Sequence, residues 1–266
     1  FLWESSGATA DYLDNPLLIR RSPDGRLWVP DISNRFFIFD LDGNIEEIWG
    51  SKGSGPGQFE FTNANYEIGG IAFAPDGSFY VVDAFNYRIQ HFAKDRTYLG
   101  EWGSGGAGDG QFTLVTGITV DADGTVLVAD YLGNRIQRFG PDGTFLDMFD
   151  GSGTPDGKLV GSGMPAVDAQ GRIYVLETDA NRVRIFDRDG NQLGVLGADG
   201  RDYGRFNYPT DLAIDENGNV FVADANNNRI VVFDPAGRFV TEWGGNGLGD
   251  GQFRNPGSVT VNRGGT

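Results

Sequence analysis

The chain has 266 residues and a formal charge of 21 − 37 = −16, with a single histidine and no cysteine. A field of that sign repels nucleic acid and anionic lipid, the missing thiols exclude disulfides and thiolate metal sites, and one histidine excludes any multi-histidine site. No apolar run is long enough to span a membrane as a helix, and 20 Phe, 9 Tyr and 5 Trp supply the bulk of a core despite 42 Gly. The chain starts at Phe1 without methionine and shows no leader, so it reads as a mature product or a fragment.

Along the chain the first regularity is a glycine loop, "GPGQF" at 55–59, spelled again as "GDGQF" at 108–112, "DYGRF" at 202–206 and "GDGQF" at 249–253. Its fourth position falls at Gln58, Gln111, Lys158, Arg205 and Gln252, in steps of 53, 47, 47 and 47. A loop that cradles phosphate is needed once; a fixed period marks an array of supersecondary units. Neither "GSGTPDG" nor "GSKGSGPG" carries the Gly-Lys-Ser/Thr string of a nucleotide loop.

Each period holds four short alternating runs. In the unit beginning at Gly117 these are "GITV", "TVLVAD", "NRIQRF" and "TFLDMF", joined by Asp-Gly turns. Such runs predict antiparallel hairpins, and four in sequence without a helix predict a blade of a β-propeller. The units lie at about 15–60, 61–112, 113–159, 160–206 and 207–253 within one domain spanning 1–266. Residues 255–265 match the start of a unit and residues 1–3 match its last strand, so both termini together predict a partial sixth blade. In a complete unit 243 − 218 = 25 residues separate the turn glycine from the tryptophan, so the middle of blade six is expected to be truncated.

"FYVVDAFNYRIQHF", "VLVADYLGNRIQRF" and "VFVADANNNRIVVF", with the "GxGxGQF" linker, resemble NHL repeats over nearly the whole chain. The resemblance implies an all-β, six-bladed propeller of four-stranded meanders that acts as a recognition platform. It also implies, as the rarer outcome, an enzyme. Peptide lyases of that family hold their metal through histidines, which this chain lacks apart from His91.

An acidic ladder, Asp31, Asp83, Asp130, Glu177 and Asp224, is followed by Arg35, Arg88, Arg135, Arg182 and Arg229. Occurrence in every unit points to scaffold: each acid is expected to cap the turn between second and third strands and to hold its arginine. Arg35 follows its acid by four residues instead of five, and Glu177 replaces aspartate, so those two turns are expected to be least regular. The ladder Trp49, Trp102, Phe149, Leu196 and Trp243 is expected to fill the space between blades, and His91 to lie at the surface or to fill between blades.

Function is sought where the units differ. The residues at the axial mouth include Arg20, Thr116, Met164, Thr210, Asp211 and Ser258, which are the ligand-site candidates; an Arg20–Asp211 plug of the channel is the equal alternative. The connection "EFTNANYEIGG", residues 60–70, is six residues longer than its counterparts and makes Phe61, Asn63, Asn65 and Tyr66 a candidate partner-binding loop. The expected function is a non-catalytic module that binds a protein, peptide or small ligand on the linker face, in an extracytoplasmic or secreted setting. No nucleic acid is expected as partner, with only three lysines (Lys52, Lys94 and Lys158), and no cofactor. The alternative is a lyase or lactone hydrolase with a carboxylate-held Ca2+ at the axial mouth.

Overall fold

The structure, a computed structural model, describes residues 12–64 and 68–261. Among them stand five antiparallel sheets of four strands, each running in chain order from inner to outer strand. The first comprises Arg20–Arg21, Leu27–Asp31, Arg35–Phe39 and Ile45–Trp49, and the second Gly70–Phe73, Phe79–Asp83, Arg88–Phe92 and Tyr98–Trp102. The third comprises Val115–Val120, Val126–Asp130, Arg135–Phe139 and Phe145–Phe149, and the fourth Ser162–Val167, Ile173–Glu177, Arg182–Phe186 and Gln192–Leu196. The fifth comprises Pro209–Ile214, Val220–Asp224, Arg229–Phe233 and Phe239–Gly244. These are the blades of a β-propeller.

The hairpin turns follow from their sequence. In the fifth blade Asp215 accepts hydrogen bonds from the backbone N–H of Asn217 (2.9 Å) and Asn219 (2.8 Å), and Gly218 takes φ +82°. After the second, fourth and fifth outer strands the glycine loop is closed by a parallel bridge, Gly105 to Phe112, Asp199 to Phe206 and Asn246 to Phe253, and after the first by the parallel pair Ser51–Lys52 and Gln58–Phe59.

The core lies between blades, not within them. Trp49 packs edge-on against Phe92 (5.0 Å) and Phe79 (5.6 Å) of the next blade, while Trp102 meets Phe139 (5.6 Å) and Phe149 meets Phe186 (5.1 Å) with tilted rings. A glycine in the following blade's last turn lets that turn lie on the aromatic: a Cβ on Gly143 would stand 2.6 Å from the Trp102 ring. Trp243, with no described blade beyond it, is 43% exposed.

The sixth blade expected from the termini is not among the described sheets. Phe1–Trp3 lie outside the described residues, and the stretch 255–261 carries no strand.

Candidate functional site

The acid of each blade is fully buried, and in each it accepts from a backbone N–H of the linker that precedes the blade. Asp130 accepts from the N–H of Thr113 (3.0 Å) and Leu114 (2.9 Å), Glu177 from Val160 (2.7 Å), Asp224 from Asn207 (2.7 Å) and Asp31 from Asp14 (3.3 Å). For the first N–H of each the separation is 17 residues; for Asp83, which accepts from Glu60 (2.7 Å), it is 23, because the long connection intervenes. Among the five, Asp31 alone also accepts from a backbone N–H of its own turn, Ser33 at 3.0 Å, while Asp83 and Asp224 accept from the turn side chains of Asn86 (2.9 Å) and Asn227 (2.8 Å). Turn-capping by backbone N–H was the expectation; it is found at Asp31, and in the other four blades the carboxylate reaches the incoming linker instead.

The arginine completes the clamp. Arg135 donates through Nε to Asp130 (3.1 Å) and through its terminal nitrogens to the carbonyls of Ala107 (2.8 Å), Gly108 (3.1 Å) and Gln111 (2.7 Å). Arg88 does the same to Asp83 (2.7 Å), Gly55 (3.1 Å) and Gln58 (3.3 Å), and Arg229 to Asp224 (2.8 Å), Asp202 (3.1 Å) and Arg205 (2.9 Å). The GDGQF loop is thereby gripped by the blade it leads into. In the fourth blade Arg182 pairs with Glu177 (2.6 Å), and the fully buried Arg184 takes over the linker carbonyl, donating to Gly157 O at 2.8 Å. Arg35 pairs with Asp31 at 3.3 Å and donates to Tyr12 O at 3.2 Å. The turn after Glu177 is as regular as its counterparts: Thr178–Ala180 forms the same 3-10 turn as Ala84–Asn86 and Ala225–Asn227. The longer side chain absorbs the difference, so the backbone does not have to. Burial pushes the Asp83 carboxyl above its ordinary value, opposed by the donors from Glu60, Arg88 and Asn86.

Two further devices escaped sequence reasoning. Asn34, Asn134, Asn181 and Asn228 stand just before the arginine with left-handed φ of 65°, 51°, 52° and 57°. Each presents Oδ1 to the next linker, accepting from Phe61 N (2.5 Å), Gly161 N (2.7 Å), Tyr208 N (2.6 Å) and Asn255 N (3.0 Å). Their shared 47-residue spacing from Asn134 onward was a legible signal. Tyr87 breaks the series at φ 55°, and there Leu114 N–H turns to Asp130 instead. The second device is a buried glutamine: Gln137 accepts from Gly110 N (2.9 Å) and donates to Gln111 O (2.7 Å), as Gln90 does with Gly57 and Gln58.

At the axial mouth the structure brings together three of the candidates. Arg20 meets Asp211 with two hydrogen bonds, 2.9 and 2.8 Å, and also reaches Ser258 Oγ at 3.1 Å. Ser258 Oγ donates to Asp211, which also accepts from Val259 N and Leu212 N, both at 2.9 Å. With both oxygens so occupied, Asp211 does not fit a calcium ligand set, and no group of three or more His, Asp or Glu gathers among the described residues. Thr116 donates to Ser162 O (3.3 Å) on the neighbouring inner strand, and Thr210 to Pro256 O (3.0 Å) in the stretch after the fifth blade. Met164 is buried in one cluster with Leu18 and Ile71. All six side chains thus find hydrogen-bond partners or packing within the protein itself.

In the long connection Phe61 is fully buried, stacked on Phe59 at 5.1 Å and edge-on to Phe36 at 5.6 Å. Its N–H sits in the same asparagine latch as Gly161 and Tyr208, so the extra residues begin after it and Phe61 belongs to the core, not to a contact surface. Asn63 is exposed; Asn65 and Tyr66 lie outside the described residues.

The face that carries these clamped linkers and the second-to-third strand turns bears large exposed apolar side chains: Tyr87 (38%), Leu132 (54%), Val160 (46%) and Tyr208 (49%). Each sits on backbone that the acid, arginine and asparagine contacts hold in place.

Repeated four-stranded blades with clamped crossings define the chain as a β-propeller. The NHL repeat family pattern matches residues 206–233, the stretch from the fifth blade's linker through its third strand. No curated protein matches the chain by sequence. Among solved structures it is similar to a streptogramin B lyase, with 16% identity over 95% of this chain and 75% of that one and a TM-score of 0.64. It is similar also to virginiamycin B lyase from Staphylococcus aureus (16% identity, 87% and 70% covered, TM-score 0.61). A protein of unknown function from Bacteroides thetaiotaomicron gives 13% identity, 98% and 67% covered and a TM-score of 0.71. At these identities the likeness is one of fold. Among the described residues no helix is long and apolar enough to cross a membrane.

Proposed function

We propose that the chain is a non-catalytic recognition propeller that binds a protein or peptide through its linker face. The observation that carries this reading is the rim of Tyr87, Leu132, Val160 and Tyr208, large apolar groups held in water on fixed backbone. A rigid platform loses little conformational entropy when a partner settles on it. The lyases among the structural neighbours raise a catalytic alternative. Against it stands the use of the mouth's one carboxylate, Asp211, and of all five ladder acids in scaffold hydrogen bonds.

We further propose a ring of six inner positions. Supporting it, Thr210 reaches Pro256 O across 46 residues, the same step by which Thr116 reaches Ser162 O, and Ile19 N donates to Ser258 Oγ at 3.3 Å. The stretch 255–261 thus runs beside the inner strands of both the fifth and the first blade.

The test is selection of displayed peptides on the immobilised protein, followed by affinity measurement against the variant L132S/Y208S. Peptides that bind the parent are expected to weaken at least tenfold on the variant. Equal affinity for both would overturn the linker-face reading.

A further inference from the structure

The fifth blade carries a pocket of about 480 Å³ on its linker face, built from three segments of the repeat. Arg201 comes from the incoming linker, Asn226 to Arg229 from the turn between second and third strands, and Glu242 to Asn246 from the end of the outer strand. The pocket therefore lies within one blade, between its turn and its own linkers. The second and fourth blades close the same place. In the second, the Tyr87 ring stands 3.5 Å from where a Cβ on Gly105 would be. In the fourth, Asn181 donates through Nδ2 to Asp199 at 3.1 Å and ties the turn to the outgoing linker. In the fifth these two positions hold Asn228 and Asn246. Asn228 spends its amide on Asn226 O (3.4 Å) and Asn255 N (3.0 Å), so nothing joins it to Asn246. Nothing lies within 4 Å of the space a Cβ on the adjoining Gly245 would take.

The charged groups around the pocket are engaged, with one exception. Glu242 accepts from Arg229 at 2.7 Å, and Arg229 also holds Asp224 at 2.8 Å. Asp199 takes the Asn181 amide, and Asp202 lies 3.8 Å from Arg205. Arg201 is fixed through backbone: its own O accepts from Arg229 Nη1 (3.1 Å), and Gly200 O from Asn227 Nδ2 (3.0 Å). Its exposed guanidinium makes no hydrogen bond or ion pair among the described residues, and the exposed side-chain amide of Asn246 makes none either. In a chain whose acids outnumber its lysines and arginines 37 to 21, a guanidinium left without a carboxylate is the exception that calls for a partner.

The chemistry of these two groups states what they can hold. A guanidinium is a permanent cation whose fork of N–H groups fits the two oxygens of a carboxylate. A primary amide offers donors and an acceptor together, which matches a peptide group. A dianion such as phosphate meets about twice the long-range repulsion from the acidic chain, so one carboxylate is the better match.

We infer that this pocket takes a carboxylate of the peptide partner, paired with Arg201, with the adjoining peptide group on the Asn246 amide. The inference rests on the linker-face proposal for the rest of the partner's footprint. Asn226 connects the two surfaces, since its Nδ2 donates at 3.2 Å to Asn207, the neighbour of Tyr208 in the apolar rim. Such a carboxylate comes from a C-terminus or from an acidic side chain, and small probes separate these sources. A probe of about a dozen heavy atoms in an open pocket is held in the millimolar range.

N-acetylglycylglycine presents a C-terminal carboxylate and N-acetylglutamic acid α-amide a side-chain one. Their neutral counterparts are N-acetylglycylglycinamide and N-acetylglutamine amide. The readout is the side-chain amide of Asn246, assigned from N246D, together with the N–H of Gly245 in a nitrogen–proton correlation spectrum. At least one acid is expected to shift both signals saturably, and the neutral amides neither; the acid that acts names the source. R201Q is expected to abolish the shift. R254Q, which removes another exposed linker-face arginine without a partner among the described residues, is expected to leave it. L132S/Y208S is expected to keep the shift, because the probes are too small to need the rim, so failure of the rim in peptide binding is read separately. No saturable shift with either acid, an equal response to the neutral amides, a shift that survives R201Q, or one lost in R254Q would each overturn the inference.

Discussion

Arg20 and Asp211 lie 191 residues apart and meet at the axis through two hydrogen bonds of 2.9 and 2.8 Å, with the carboxylate 2% exposed. The pair ties the first blade to the fifth and, through Ser258, to the stretch beyond it. Removing one partner from a buried pair leaves the other uncompensated, which costs about 3–5 kcal/mol. Asp211→Asn is therefore expected to lose about 3 kcal/mol in urea unfolding, and Arg20→Met about half as much, because Asp211 keeps its donors from Val259, Leu212 and Ser258. Equal losses would mean that the ion pair, and not the wider carboxylate network, carries the closure.

Asp130 serves the linker amides of Thr113 and Leu114, the Thr113 hydroxyl and Arg135 together. Asp130→Ala is expected to lose about 3 kcal/mol, and hydrogen exchange at Thr113 and Leu114 is expected to accelerate ahead of the strands. Unchanged exchange at those amides would refute the linker clamp even if stability fell.

Deleting residues 62–67 is expected to leave the melting temperature within a few degrees, since the latch and core position at Phe61 are kept and the connection returns to its counterparts' length. Phe61→Ala is expected to lose about 3–4 kcal/mol by opening a cavity beside Phe59 and Phe36. Differential scanning calorimetry of the two variants separates loop from core; the reverse order of effects would place the packing in the insertion.

Burial holds the His91 imidazole below its ordinary value, partly offset by the nearby Asp76 carboxylate. The unfolded chain then binds the proton first as pH falls, at about 6.5. This contribution is fully present above that value and lost as pH drops below it. Urea midpoints at about pH 7.5 and about pH 5.5 are expected to fall further for the parent than for His91→Gln. Identical pH slopes would show that the ring titrates as freely as it does in the unfolded chain.

The period, the four-stranded units and the pairing of each ladder acid with its arginine were legible because they repeat, and repetition is a one-dimensional signal. What the carboxylates grip was not: a hydrogen bond from Asp130 to an amide 17 residues earlier requires knowing how the linker folds back over the blade. Phe61 was misread because its neighbours in sequence form an irregular loop, while its place is fixed by Asn34 of the preceding blade. The asparagine latch was written in the sequence at a fixed spacing, but asparagine in a turn has so many local uses that the long-range one stays hidden.

The central claim is that the linker face, fixed by its clamps, is the recognition surface. Hydrogen–deuterium exchange of the protein with and without a peptide selected on it tests this most directly. The account predicts protection on the linkers and turns that carry Tyr87, Leu132, Val160 and Tyr208, with the outer strands unchanged. Protection confined to the outer strands or to the opposite turns, with the linker face exchanging as in the free protein, would contradict it.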